Sequence, residues 1–173
     1  MLIICYCELL NNIEQSNNSN NNFFYKDKIF KIFVSYARED EQAARRLYND
    51  LKNSNLPIEP WLDKEEILPG QDWKREIRKA INESIVFIPV FSSTSVKKRG
   101  YVQVEFKYGI EVLKEIPPGE IFVIPVRIDP CEIPYEELKQ YHFQDLFPTW
   151  DNGSKMILKS IKSLLNNNTT NKN

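Results

Sequence analysis

The residue whose type and setting most suggest chemistry is Glu105, in the run Gly100-Tyr-Val-Gln-Val-Glu-Phe-Lys-Tyr108. The run reads as a helix that is apolar on nearly every side. Val102, Val104 and Phe106 crowd the glutamate in sequence, and Tyr101 and Tyr108 fall at i−4 and i+3, on its own face. A carboxylate in such surroundings is costly unless it is paired or used. Placed beside a sugar, it can bind a ribose hydroxyl and offset positive charge on an oxocarbenium-like centre, which is how glycosidic bonds are usually broken. Most glycosidases use two carboxylates, and the sequence offers no clear second one. The plainer alternative is a solvated glutamate on a helix.

Two further segments carry suitable groups. Ser35-Tyr-Ala-Arg-Glu-Asp40 offers a hydroxyl, an aromatic ring and a cation, which suit a ligand with sugar hydroxyls, a flat ring and phosphates. Its plainer reading is that Asp40 caps a helix and Tyr36 packs. Asp63-Lys-Glu-Glu-Ile-Leu-Pro-Gly-Gln71 mixes charges with the apolar pair Ile67 and Leu68 and reads as a lid, a partner contact or an ordinary connection. With only 5 glycines, neither a phosphate-cradling P-loop nor a dinucleotide fingerprint can be placed.

Other chemistries are excluded by counts. Cys5, Cys7 and Cys131 form no C-x-x-C pair, so neither a disulfide framework nor a zinc knuckle is expected, and free thiols in a reducing cytosol are. His142 is the one histidine, which rules out a multi-histidine metal site and disfavours a Ser/His or Cys/His pair. It reads as a partly buried residue of a short strand. The chain of 173 residues is 42% hydrophobic and 27% charged, which suits one domain with one core. A net charge of −1 gives no basic bias toward nucleic acid or anionic lipid. No run reaches the apolar length of a membrane-spanning helix, and Met1–Cys7 lacks the basic start of a signal peptide.

These residues need a scaffold, and the pattern supplies one. Residues 1–27, Asn-rich over 11–22, and the tail 166–173 are low-complexity and expected to be disordered; the folded unit is 28–165. Within it, Lys31–Ser35 reads as a buried strand. Glu41–Asn53 reads as a helix with Ala43, Leu47 and Leu51 on one stripe and Asp40 as N-cap. Leu56–Leu62, broken by prolines, suits an edge strand, and Pro69-Gly70 signals a turn. Asp72 caps a helix with stripe Trp73, Ile77, Ala80 and Ile81. Ser84–Phe91 is the strongest buried strand, apolar without alternation. Ile121–Val126 and Tyr141–Leu146 read as strands, and Ser154–Leu165 as a helix with Ile157, Leu158, Ile161 and Leu165 inward. Regular strand–helix alternation predicts a parallel sheet with helices on both faces. Sites in such sheets form outside the carboxyl ends of the strands, where the loops 35–40, 63–72 and 92–100 should meet.

Ile32-Phe-Val-Ser-Tyr-Ala-Arg-Glu-Asp40, Trp61-Leu-Asp63 followed by Pro69-Gly70, Val86-Phe-Ile-Pro-Val90 with its serines, and Arg99-Gly-Tyr-Val-Gln-Val-Glu105 together resemble a Toll/interleukin receptor (TIR) domain, most nearly of the microbial branch. The resemblance covers about residues 30–165. It implies a flavodoxin-like, five-stranded parallel sheet. It also implies hydrolysis of NAD, as substrate and with no cofactor, to nicotinamide plus ADP-ribose or a cyclic form. Glu105 matches the family's essential glutamate. Tyr101 stands where many members carry tryptophan, and its ring can still stack. Ser35, Tyr36, Arg38 and Asp63 match the substrate-binding positions. Ile67, Leu68, Pro69 and Gly70 match the loop that packs against a neighbouring domain. The implied setting is cytoplasmic, in anti-phage defence, through homotypic TIR–TIR assembly and with a separate sensor protein as partner.

The competing reading is a TIR interaction module without chemistry. A phosphorylation receiver shares the fold but needs acidic residues after the first strand and an aspartate ending the third, where this chain has Ser35-Tyr36 and Phe91-Ser92. A base- or deoxyribose-transferring enzyme of related fold also sets a glutamate against a glycosidic bond.

Overall fold

The computed structural model describes residues 28–62, 70–97, 109–111, 114 and 123–170. The strands β1 (Phe30–Ser35), β2 (Ile58–Leu62), β3 (Ser84–Phe91), β4 (Val126–Arg127) and β5 (Gln144–Asp145) form one sheet in the order β2-β1-β3-β4-β5. Every neighbouring pair is parallel. This is the flavodoxin-like order, and the sheet reverses its winding between β1 and β3. The helices are α1 (Glu41–Lys52), α2 (Trp73–Glu83), the short α3 (Glu136–Lys139) and α4 (Trp150–Thr170).

Strand periodicity divides the core in two. On one face Ile32, Val34 and Tyr36 of β1 join Val86, Ile88 and Val90 of β3 beneath α1 and α4. On the other, Phe33, Phe87 and Phe91 meet Ile77, Ala80 and Ile81 of α2 and Leu138 of α3. Each fully buried aliphatic or aromatic side chain contributes about 1.5–3 kcal/mol. An exposed ion pair such as Lys31–Glu83, at 2.7 Å, contributes about 0–1 kcal/mol. Two-sided burial of β1 and β3 therefore holds the sheet.

The expected elements differ from the observed ones in instructive ways. In α1, Ala44 with Leu47 and Leu51 is buried, and Ala43 is only half-buried. Proline-bearing β2 is an edge strand, as its composition suggested. Asp72 caps α2, accepting from Lys74 N at 3.1 Å and Arg75 N at 3.4 Å. Of the α2 stripe, Ile77, Ala80 and Ile81 are buried, while the Trp73 side chain lies outside the described residues. Of the expected strand 121–126, the described part from 123 onward makes a bridge between Val123 and Phe87 and the pair Val126–Arg127. Pro89 explains the gap between the two, because it faces β4 between those points, as Phe87 and Phe91 do, and has no N–H to give. α4 starts at Trp150 rather than Ser154, since Asp50 of α1 accepts from Trp150 Nε1 at 2.7 Å and Ser154 Oγ at 2.8 Å. It continues through the Asn-rich residues 166–170, where no structure was expected. Once nucleated, a helix gains a hydrogen bond with each added residue.

Gly109 lies in the helical stretch 109–111 after β3. A β-carbon there would stand 2.5 Å from Phe87 Cζ and 2.7 Å from Cε1. Phe87 is 1% exposed and its ring stacks on Phe33, so it has little room to yield. Overpacking typically costs about 1–3 kcal/mol, against roughly 1 kcal/mol of helix propensity gained on replacing glycine. Gly109→Ala is therefore expected to lower stability in urea unfolding. A stabilised variant would contradict this packing.

Candidate functional site

The carboxyl end of the sheet gathers the polar residues that the strands deliver. β1 ends in Ser35, which is fully buried, and the chain passes through Tyr36 and Ala37 into a 3-10 turn, Arg38–Asp40. Arg38 is exposed on that turn. Tyr36 continues the even-numbered register of β1, so its ring packs in the core under α1. The ring expected to meet a ligand is thus a core residue at 2% exposure.

Asp40 occupies the N-cap position of α1 but makes no capping bond, which corrects its reading as a cap. Its side chain is turned inward and is 5% exposed. Burial pushes its carboxyl above the ordinary aspartate value of 3.8, and the hydroxyls of Ser92 and Ser95 partly offset this. Ser35 Oγ and Asp40 Oδ2 are both buried and have no hydrogen-bond partner among the described residues. Such atoms are uncommon in folded proteins and call for an explanation.

β3 leaves the sheet through a turn built by its own serines. Ser92 N donates to Ser95 Oγ at 2.8 Å and Ser95 N to Ser92 Oγ at 3.0 Å. Ser93 N and Ser93 Oγ then donate to the two oxygens of Asp129, at 2.6 and 2.9 Å, which ties this turn to the loop after β4. β4 is tied to β5 in the same way: Arg127 Nε and Nη2 donate to the Asp145 carboxylate at 2.7 and 2.9 Å. Arg127 Nη1 reaches the Cys131 carbonyl, and the guanidinium lies 4.0 Å from the Phe143 ring centroid.

Cys131 is half-buried, and its thiol is pushed up to about 11, first by burial and then by Asp129. It stays protonated at neutral pH and is no nucleophile there. His142 is exposed and precedes β5, stacking on Phe143, which corrects its reading as a partly buried strand residue. Among the described residues no cluster of histidine, cysteine or carboxylates could hold a metal. No helix among them is long and apolar enough to cross a membrane.

The structure thus brings together Asp40, Ser92, Ser95 and Asp129, sets Ser35 at the end of β1 opposite Pro89, and leaves Arg38 on the surface nearby in the chain. Glu105, Tyr101, Asp63, Ile67, Leu68 and Pro69 lie outside the described residues. Gly70 is described, and its φ of +91° suits the expected turn. Asp129, three residues beyond the strand run 121–126, carries no local signal in the sequence that marks it. Two cavities among the described residues lie elsewhere. One of about 330 Å³ is lined by Val86, Val123, Tyr141, His142, Ile157 and Ile161. One of about 340 Å³ is lined by Phe147, Pro148, Asn152 and Met156, among others. Neither gathers the buried polar atoms described above.

The family model described as the TIR domain matches residues 32–158. The chain belongs to the TIR-domain family. Its fold is similar to the TIR domain of the Toll-related receptor TRR-2 from Hydra magnipapillata, with a TM-score of 0.58 and 20% identity over 77% of this chain and 96% of that one. It is also similar to the TIR domains of the activated Roq1 resistosome, with a TM-score of 0.61 and 21% identity over 76% of this chain and 99% of that one. No curated protein matches the chain. The matched segment of this TIR domain runs from β1 into α4 and includes every strand exit just described.

An unpaired buried hydroxyl costs about 1–3 kcal/mol. Ser35→Ala in this TIR domain is expected to raise stability by about 1 kcal/mol, read as a higher urea midpoint. A loss of stability would show that the hydroxyl has a structural partner.

Proposed function

We propose that this TIR domain is an NAD glycohydrolase acting in cytosolic immune defence, with Glu105 as its essential carboxylate. Nicotinamide leaves C1′ of the ribose with the bonding electron pair. Positive charge develops on the ribose ring, and the carboxylate offsets it. Water, or a nucleophilic position of the same substrate, then bonds to C1′ and loses a proton, giving ADP-ribose or a cyclic form. Ser35, Arg38, Asp63 and Tyr101 are assigned to holding the substrate. The segment 67–70 is assigned to packing against a second TIR domain that completes the site.

One observation carries this reading. Glu105 falls within the segment that matches the TIR family, ten residues after the buried Ser95 that closes the exit turn of β3 and four before Gly109, which is seated on Phe87. The carboxyl edge of a doubly wound sheet is where such folds bind ligands. The buried, unpartnered Ser35 Oγ and Asp40 Oδ2 support the same edge as the working one. The competing reading, an interaction module that only assembles, makes no use of Glu105.

Chromatography of nicotinamide release decides between them. Wild type at high concentration is expected to release nicotinamide, with a rate that rises faster than linearly with protein. Glu105→Ala is expected to lose about 10²-fold or more while still self-associating. Equal, negligible release from both proteins, with association intact, would favour the interaction module.

A further inference from the structure

Resting on the glycohydrolase reading, we propose that Asp40 is a positioning residue whose buried carboxylate latches the Ser92–Ser95 turn, the turn that carries the chain out of β3 toward Glu105. Asp40 stands at an N-cap, where an aspartate normally accepts from the first backbone N–H groups of the helix, yet it makes no such bond. It points inward at 5% exposure, and its Oδ2 has no partner among the described residues.

Proton counting shows what the carboxylate can take. Each serine hydroxyl has one proton to give. In the turn both oxygens already accept from backbone N–H groups, at 2.8 and 3.0 Å, and this fixes the turn's shape. The two hydroxyl protons are poorly placed by comparison. Ser92 Oγ donates to Ser95 Oγ at 3.2 Å, and Ser95 Oγ donates to the Ser92 carbonyl at 3.2 Å. Hydroxyl hydrogen bonds usually run at about 2.7–2.8 Å, and a carboxylate is a stronger acceptor than either present partner. Both protons are therefore available to Asp40. On its far side the turn is already held by Asp129 through Ser93, so the two carboxylates grip it from opposite strand exits.

The charged groups around Asp40 are Glu39 on its own turn and Asp129 on the loop after β4, and both oppose its ionisation. The Cys131 thiol also feels its charge. Burial outweighs the two serines, so the carboxyl titrates above 3.8. The sign follows from linkage. The folded state holds this proton more tightly than the unfolded state. Stability from this group is therefore full below 3.8 and declines as pH rises through the folded value. Above that folded value the ionised carboxylate lowers stability while tightening the turn. Asp40→Asn is thus expected to be more stable than wild type above that value and yet less active, a combination that a merely structural residue would not produce.

The test uses the full chain, 15N-labelled, as wild type and as Asp40→Asn. In wild type the Ser92 and Ser95 amide resonances should titrate together with a midpoint above that of an ordinary aspartate. In Asp40→Asn they should stay flat. Ser95→Ala, which removes one hydroxyl that favours the charge, should move the Ser92 midpoint further up. In nicotinamide release, Asp40→Asn should lose roughly 10- to 100-fold in kcat with KM within about twofold. Amides that do not titrate, or that titrate equally in Asp40→Asn, would overturn the latch, as would an unchanged kcat. A wild type that releases no nicotinamide would count against the glycohydrolase reading instead, and the amide titration alone would then decide the latch.

Discussion

The structure depends on β3 being covered on both faces. Its even residues Val86, Ile88 and Val90 close one core against α1 and α4, and Phe87 and Phe91 close the other against α2 and α3. Phe87 is the tightest point. It stacks at 5.7 Å on Phe33, which stacks at 4.9 Å on Trp61, so a row of rings runs from the centre of the sheet to its β2 edge. The helical stretch after β3 approaches this row so closely that only a glycine fits at 109. The strand that anchors the core is thus also the strand whose exit leads to Glu105.

A sheet so apolar in its middle concentrates its polar groups at its ends. At the carboxyl edge those groups are paired across strands: Ser93 with Asp129, and Arg127 with Asp145. Arg127 and Asp145 face each other in the β4–β5 register, which makes the bidentate contact a direct product of strand alignment. Paired groups of this kind are rigid supports. Ser35 Oγ and Asp40 Oδ2 stand out because they share this edge without such pairing among the described residues. Their burial without such pairing costs stability, and the proposed role of this edge gives it a use.

Much of the fold was legible because it rests on local signals. The unbroken apolar run of β3 implied burial on both faces, the prolines of the run 56–62 implied an edge, and Asp72 preceded a helix that it caps. What escaped depends on residues far apart in sequence. Asp40 looked like a cap, but its side chain turns inward, on the side of serines some fifty residues later in the chain. The shortness of β4 needed Pro89 to face it between two pairing points, a matter of register. Tyr36 resembled a ligand contact, but its parity on β1 sends the ring into the core. The early start of α4 required Asp50, on another helix, to receive Trp150 and Ser154.

The central claim is that the carboxyl edge is where this TIR domain holds NAD. It is tested most directly by titrating NAD into 15N-labelled Glu105→Ala, a variant expected to bind without turning the substrate over, at the concentration where the protein self-associates. The account predicts saturable shifts centred on Ser35, Asp40, Ser92, Ser95 and Asp129. Shifts centred instead on Tyr141, His142 and Ile157, around the cavity at the opposite end of the strands, would contradict it, as would no shifts at all.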